Sequence, residues 1–499
     1  MLKFLRKIKD YILLKQSGLF DADYYCLQYP DVRRADVNPL RHFVSIGWKE
    51  GRNPNPDFCT AYYLNANPDV KTSGTNPFVH YLRYGEHEGR RIKPTPDQIG
   101  KVPEQANSTS PATVVTAQIC LQNLFLNNPS LRSLNTFHYP HGQRRINLVT
   151  DSINNGSLFG GVATGIILAT LLANKTGATL RVVTRTEEAE KDNYLTVLRA
   201  NRIEEPEKVE FVCVNPFSSN SELPVGNSEF YLTTSWWTTY ATLQTVDPRN
   251  ILYLLQEDER KFYPYGDDHR LCSSVLANDD LKFVINTQLL YDYLVADGLE
   301  NLKENAIWFE PAFSKDVFYY QTERPDKKQF FFYARPNNQR NLYFLGSQVI
   351  NLAIENKLID PNIWDINFVG KDLTNITLSQ GVKPIIWQNL NWFEYGKLVR
   401  NMDLGLSLMY TPHPSYPPLD LAASGCVVLT NKWRNKQDLS QYSKNILLAE
   451  LSESSLLETL GKAIDLAQNT ETRLRNYNLN HILRDWHESF AKVLAMDWY

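Results

Sequence analysis

The sequence predicts an α/β chain with two doubly wound domains whose parallel sheets face a cleft, preceded by a small all-α repeat module. Three observations predict this: matching segments 38 residues apart near the N-terminus, a strand, glycine loop and helix opening at Ile146, and a second alternation of strands and helices from Gln329. At 499 residues, 43% hydrophobic and 21% charged, the chain is long enough for about three domains with sizeable cores, which excludes disorder throughout. Its 52 basic and 55 acidic side chains leave a formal net charge of -3. No nucleic-acid partner is expected, because such binding depends on many cationic contacts to phosphate. Aromatics reach 12%, flat faces that fill cores and also stack on sugars.

Residues 1–19 read as a basic amphipathic helix, with Leu2, Leu5, Ile8 and Ile12 near one face and Lys3, Arg6, Lys7, Lys9 and Lys15 largely around it. Two readings stand side by side: a peripheral anchor on anionic lipid at the inner face of the cell membrane, and a basic helix packed on its own domain. The apolar stretch is too short for a secretory signal, and no run approaches the roughly 18 residues of a spanning helix; the longest, Gly161 to Ala173, is short and contains glycine. Cys26, Cys59, Cys120, Cys213, Cys272 and Cys426 are scattered and form no Cys-x-x-Cys pair, which predicts a reducing, cytoplasmic compartment.

Residues 20–92 form the repeat module. FDADYYCLQYPDV (Phe20 to Val32) returns as FCTAYYLNANPDV (Phe58 to Val70), and NPLRHFVSIGWKEGR (Asn38 to Arg52) returns as NPFVHYLRYGEHEGR (Asn76 to Arg90). Each unit reads as two short helices: one ending near Pro-Asp-Val, the next opened by Asn-Pro and stopped at Gly47 or Gly85. Matching residues such as Tyr24 and Tyr62, or His42 and His80, are packing positions on this reading. Asp21 and Asp23 have the spacing of a metal site, but the second copy has Cys59 and Ala61 there, so Asp21 reads as a helix cap. No metal site is expected. Residues 93–118, rich in Pro, Ser, Thr and Asn, read as a linker, and the stretch up to Arg145 as an irregular lead-in.

Residues 119–322 read as the first Rossmann-like domain, with strands at Ile146 to Asp151, Thr179 to Thr184, Val209 to Val214, Glu229 to Thr233, Asn250 to Leu255 and Lys282 to Asn286, and a helix over Val162 to Ala173. Residues 323–470 read as the second. Its strands are Phe330 to Ala334, Ile366 to Gly370, Lys383 to Trp387, Asp403 to Met409 and Cys426 to Thr430. Residues 471–499 read as a C-terminal helix crossing back to the first domain.

Chemistry is expected at the carboxyl edges of the strands. The loop ending at Gly160 and Gly161 lacks both the Gly-x-Gly-x-x-Gly spacing and a Walker Lys, which removes hydride transfer and phosphate-loop chemistry. What remains is a helix N-terminus facing a phosphate or sugar, or simply a tight turn. Arg335 and Arg340 follow a buried strand and Lys371 follows the next; guanidinium pairs can neutralise a diphosphate without a metal, and exposed loop Arg is also common. In Thr411 to Gly425, Ser415, Tyr416 and the prolines open a helix toward a ligand, and Asp420 is placed to accept from ribose hydroxyls or to favour the first helical turn. Glu257, Asp258, Glu259 and Arg260 follow the strand ending at Leu255. They are either a cleft-edge carboxylate cluster or a solvated loop; as a cluster, one carboxylate accepts a hydrogen bond from the acceptor hydroxyl or balances the positive phosphate loop, with Glu257, Asp258 and Asp151 the catalytic candidates.

RPNNQRN, INFVG and PSYPPLDLAASGCVVLTN resemble the donor-domain signature of glycosyltransferase family 4, whose two Rossmann-like domains form the GT-B architecture. The resemblance implies that Arg335 and Arg340 meet the diphosphate and Asp420 the ribose. The first glutamate of the family's Glu-x7-Glu is missing: Pro412 stands there, with His413 beside it. SLFGGVATG, YLLQEDERKFYP, FFFYARPNNQRN and SYPPLDLAASG, in that order, resemble bacterial rhamnosyltransferases of surface-layer glycan and O-antigen assembly, and the repeats are similar to modules ahead of polysaccharide glycosyltransferases. The resemblance implies transfer of rhamnose from dTDP-β-L-rhamnose to a growing cell-surface glycan, with retention, no cofactor, and a saccharide acceptor that is lipid-linked in some pathways. The rival readings are a non-catalytic saccharide-binding assembly protein and a nucleotide-sugar epimerase.

Overall fold

In the computed structural model of the protein, residues 10–11, 13–29, 32, 38–73, 75–93, 129–139, 143–154, 160–216 and 221–498 are described. The first half of the basic N-terminal segment, linker residues 94–118, Cys120 and glycine-loop residues 155–159 lie outside them. The chain falls into two compact units divided between residues 112 and 113.

The first unit contains helices α1 (Ala22–Gln28), α2 (Pro39–His42), α3 (Thr60–Ala66), α4 (Pro68–Ser73) and α5 (Pro77–His80). Asp21 accepts the Tyr24 amide at 2.8 Å, and Asn38 and Asn76 cap α2 and α5 in the same way, leaving proline at the first helical position. The Pro-Asp-Val of the second copy, expected to end a helix, begins α4 instead, because proline is tolerated in a first turn. Packing falls to the second tyrosine of each pair: the Tyr25 hydroxyl meets His42 Nδ1 at 3.1 Å and the Tyr63 hydroxyl meets His80 Nδ1 at 3.1 Å. A Cβ on Gly47 or Gly85 would lie 2.0 Å from that same tyrosine oxygen, which is why each unit has glycine there.

The second unit is mixed α/β, with two large doubly wound parallel sheets and a two-stranded one. The front domain runs β1 (Thr136–His138), β2 (Arg145–Thr150), α6 (Gly161–Thr176), β3 (Thr179–Thr184), α7 (Lys191–Ala200), β4 (Val209–Cys213), β5 (Leu223–Val225), β6 (Glu229–Thr233), α8 (Trp236–Leu243), β7 (Ile251–Leu255), α9 (Asp267–Leu276), β8 (Lys282–Asn286), α10 (Gln288–Ala296), α11 (Leu302–Asn305) and β9 (Ala306–Phe309). Its sheet has the order β4-β3-β2-β6-β7-β8-β9, so the winding reverses between β2 and β6. The rear domain runs β10 (Lys328–Ala334), α12 (Tyr343–Glu355), β11 (Trp364–Gly370), β12 (Ile385–Gln388), α13 (Trp392–Arg400), β13 (Leu404–Leu406), α14 (Tyr416–Ala423), β14 (Val427–Asn431), β15 (Ile446–Ala449) and α15 (Glu453–Gln468). Its order is β12-β11-β10-β13-β14-β15, reversing between β10 and β13. Helices cover both faces of each sheet, and the strands are accordingly near-continuous apolar runs.

Four short strands and the C-terminal segment depart from expectation. The lead-in carries β1, which pairs with β5, and β9 and β15 extend the two sheets. Each is only three or four residues long, too short for a periodic signal. The C-terminal segment is not one helix: α16 (Thr470–Asn478) is followed by extended chain, then α17 (Trp486–Ser489) and α18 (Ala491–Ala495). The interruption has a partner, since the Leu483 carbonyl accepts the Phe313 amide at 2.8 Å, and Asp485 then caps α17. Trp486, Phe490 and Val493 complete the front-domain core.

Among the described residues no helix is long and apolar enough to cross a membrane. Cys26, Cys59, Cys213, Cys272 and Cys426 are free thiols.

Candidate active site

The carboxyl ends of the two sheets meet at their switch points around a cavity of about 390 Å³. The front domain supplies Gly160, Gly161, Thr164, Gln256 and Glu257; the rear domain supplies Arg335, Arg340, Lys371, His413, Ser415, Tyr416 and Asp420, with Trp387, Trp392 and Trp486 as aromatic wall. Each of these loops follows a strand or opens a helix, where open α/β sheets present ligand sites.

Arg335 follows β10 and Lys371 follows β11, and neither makes an ion pair among the described residues. Arg340 is partly committed. Its Nη1 lies 3.1 Å from Glu257 Oε2 across the cleft, and its guanidinium sits 4.2 Å over the Phe262 ring. Nη1 nonetheless has no aligned hydrogen-bond partner, so the contact with Glu257 is a charge contact without directed N–H donation.

Ser415 precedes α14 at φ +70°, a backbone region costly for a residue with a Cβ. Its amide donates to His413 Nδ1 at 2.9 Å and its hydroxyl to Met409 Sδ at 2.7 Å, which hold the strained turn. Tyr416 is a strut between domains: its hydroxyl is 2.7 Å from Thr164 Oγ1 and accepts from Asn286 Nδ2 at 2.9 Å. Its ring borders the cavity, but front-domain side chains already occupy its hydroxyl. Asp420 sits one turn inside α14 rather than in its first turn, and its Oδ2 accepts the Tyr395 hydroxyl at 3.1 Å.

Burial pushes Asp420 up to about 8, opposed by the Tyr395 hydrogen bond. Against an ordinary carboxylate near 4, the folded chain keeps a proton that the unfolded chain releases. The resulting stabilisation is fully present below pH about 4 and lost as pH rises to about 8. Asp420→Asn is therefore expected to flatten the fall of Tm between pH 5 and 8, and parallel melting curves for the two proteins would show that Asp420 is ionised in the fold.

The Glu257 to Glu259 cluster is not a solvated loop: Glu257, Asp258 and Glu259 are 7%, 2% and 4% exposed. Glu257 alone lines the cavity, where its carboxylate accepts the Thr411 hydroxyl from the rear domain. The placement of Asp258 is corrected. It does not line the cavity but pairs with Arg260 at 2.8 Å and with Lys261; burial pushes its carboxyl up, and those cations more than offset this and hold it below the ordinary range. Glu259, pushed up to about 8 by burial, accepts the Trp236 amide at 2.7 Å at the start of α8. Asp151 is likewise outside the cavity lining: Trp237 Nε1 donates to it at 2.6 Å and Arg185 lies 3.5 Å away.

Two side chains escape sequence reasoning. His413, named only as the neighbour of Pro412, is 3% exposed, and burial with the Lys436 and Arg340 charges pushes it down to about 3. Lys436 is fully buried behind it, donates to the His413 carbonyl at 3.4 Å, and is pushed down to about 7 by burial, which the Glu257 charge opposes. In NKWRNKQ nothing local signals that one lysine is enclosed. No group of three or more metal-ligating side chains occurs among the described residues.

Residues 145–288 match the family model "WsaF, N-terminal domain" and residues 328–461 match "WsaF, C-terminal domain". The chain is 32% identical over 248 residues to the O-antigen biosynthesis protein RfbC of Myxococcus xanthus, a stretch covering 47% of this chain and 18% of that protein. Among solved structures, Anabaena HepE in complex with UDP and glucose aligns at 13% identity over 70% of this chain and 98% of its own, with a TM-score of 0.49. Sucrose-phosphate synthase from Thermosynechococcus elongatus aligns at 12% identity over 70% and 97%, also at 0.49.

Proposed function

The chain carries both domains of the WsaF family, in order and over more than half its length, and from that premise we propose that it is a glycosyltransferase that takes a sugar from a nucleoside diphosphate held in the interdomain cavity. One observation carries the reading: Arg335, Arg340 and Lys371, from two adjacent strand ends, line a single cavity, and two of them lack an anionic partner among the described residues. Such cations favour a diphosphate, and they act most strongly on the charge that grows as the anomeric carbon–oxygen bond breaks. The acceptor oxygen bonds to that carbon while its proton passes to the departing phosphate, which gives retention and needs neither a dedicated base nor a metal ion. In this reading Asp420, which lines the cavity, takes the ribose, and the tryptophan wall takes base or sugar faces.

The donor we favour is dTDP-β-L-rhamnose, supported by the motif order shared with rhamnosyltransferases. The acceptor is a growing cell-surface polysaccharide, supported by the O-antigen name of the relative. The basic N-terminal segment supports a peripheral position at the cytoplasmic face of the membrane.

A thermal-shift series over dTDP, UDP, GDP and their sugars tests the reading, since a ligand that binds only the folded chain stabilises it by about 2.7 kcal/mol at 100 times its Kd. The expected result is the largest rise with dTDP-rhamnose, and release of dTDP when a saccharide acceptor is added. A chain that responds to none of these nucleotides is not a glycosyltransferase of this kind; one that binds but never transfers is the assembly protein.

A further inference from the structure

His413 closes the rear wall of the cavity in the loop between β13 and α14, and its ring is committed on one side only. The Ser415 amide donates to Nδ1 at 2.9 Å. A backbone amide has only a proton to offer, so Nδ1 carries none and the neutral ring bears its proton on Nε2. That N–H has no partner among the described residues, although the side chain is more than nine-tenths buried. Unpaired buried donors are rare because they forgo hydration without compensation. Asn341 Oδ1, on another residue lining the same cavity, also lacks a hydrogen-bond partner among the described residues, and Arg340 Nη1 has there only its charge contact with Glu257. Burial, with the Lys436 and Arg340 charges, keeps the imidazole neutral, and two cations lie close to it although Glu257 faces both of them. An oxyanion is the acceptor that suits such a place.

We infer that His413 donates from Nε2 to a phosphoryl oxygen of the nucleoside diphosphate, beside Arg340, so that a neutral and permanently oriented donor assists the cations in holding the leaving group. This rests on the glycosyltransferase reading and adds to it a residue that touches the substrate. A neutral imidazole serves better here than a third cation, because it keeps one fixed proton direction and adds no repulsion to Arg340 and Lys436.

Two variants separate this role from holding the loop. His413→Asn keeps an oxygen near Nδ1 to accept the Ser415 amide but has nothing at the Nε2 position; His413→Gln reaches the Nε2 position with an amide N–H. Calorimetric titration uses whichever of dTDP, UDP and GDP binds the wild type, beside its nucleoside. Expected is a loss of about 10- to 100-fold in diphosphate affinity for His413→Asn, the scale of a hydrogen bond to a charged group, with nucleoside affinity unchanged and His413→Gln within about threefold of wild type. Diphosphate affinity unchanged in His413→Asn, or lost equally in both variants, or lost together with nucleoside affinity, overturns the inference. A wild type that binds no nucleoside diphosphate overturns the glycosyltransferase reading itself.

Discussion

The Arg335→Ala, Arg340→Ala double variant is expected to lose at least 100-fold in nucleoside-diphosphate affinity while melting within a few degrees of wild type. Each guanidinium that bonds a phosphate oxygen is worth roughly 10- to 100-fold in affinity, and two acting on one diphosphate exceed either alone. The fold should tolerate the change. Arg335 makes no ion pair among the described residues, and the Glu257 carboxylate that Arg340 approaches keeps the Thr411 hydroxyl and the Lys436 charge. Arg340→Lys should recover part of the loss, because an ammonium supplies charge but not the planar fork. Titration calorimetry alongside thermal melts checks both halves, and affinity within threefold of wild type in the double variant would remove the cations from the site.

Glu229→Ala is expected to have the opposite signature: a loss of about 3–5 kcal/mol in stability with nucleotide affinity of the folded fraction unchanged. Glu229 opens β6 at the amino edge of the front sheet, away from the cleft. Arg181 Nη2 lies 2.5 Å from its Oε2, Arg145 Nη1 lies 3.0 Å from its Oε1, and the Tyr231 hydroxyl donates at 2.8 Å. The Arg181 and Glu229 side chains are each 1% exposed. Removing the carboxylate leaves a buried guanidinium without its counter-charge, which costs far more than the pair contributes over an apolar replacement. Arg181→Met with Glu229→Leu should therefore be more stable than Glu229→Ala alone. Denaturant unfolding measures this, and a Glu229→Ala protein within 1 kcal/mol of wild type would mean that water reaches Arg181.

Most of the doubly wound framework was legible because its signals are local. Lys282 to Asn286 is a strand at its expected bounds, and β2 differs from its expected range by one residue at each end. The strands β9 and β15 were not legible, since AIWF and ILLA are too short to carry a period and become strands by pairing with β8 and β14. At the site, the positions after strands were readable for Arg335, Arg340, Lys371 and Glu257, all of which line the cavity. Asp258 occupies an equally suggestive position, but Arg260 and Lys261 hold it elsewhere. Adjacency in sequence does not say which way successive side chains turn.

The sequence alone determined the repeat, the two alternations of strand and helix, and the residue types brought to the strand ends, because hydrophobic period and turn chemistry act over a few residues. Tertiary structure decided what each of those residues does. Arg340 meets Glu257, Tyr416 bridges to Thr164 and Asn286, Lys436 is enclosed, and one imidazole nitrogen of His413 is occupied while the other is not. Those outcomes depend on burial and on partners more than 70 residues distant for Arg340 and Tyr416. Charge, proton position and hydrogen-bonding capacity follow from that three-dimensional surrounding and not from the neighbours along the chain.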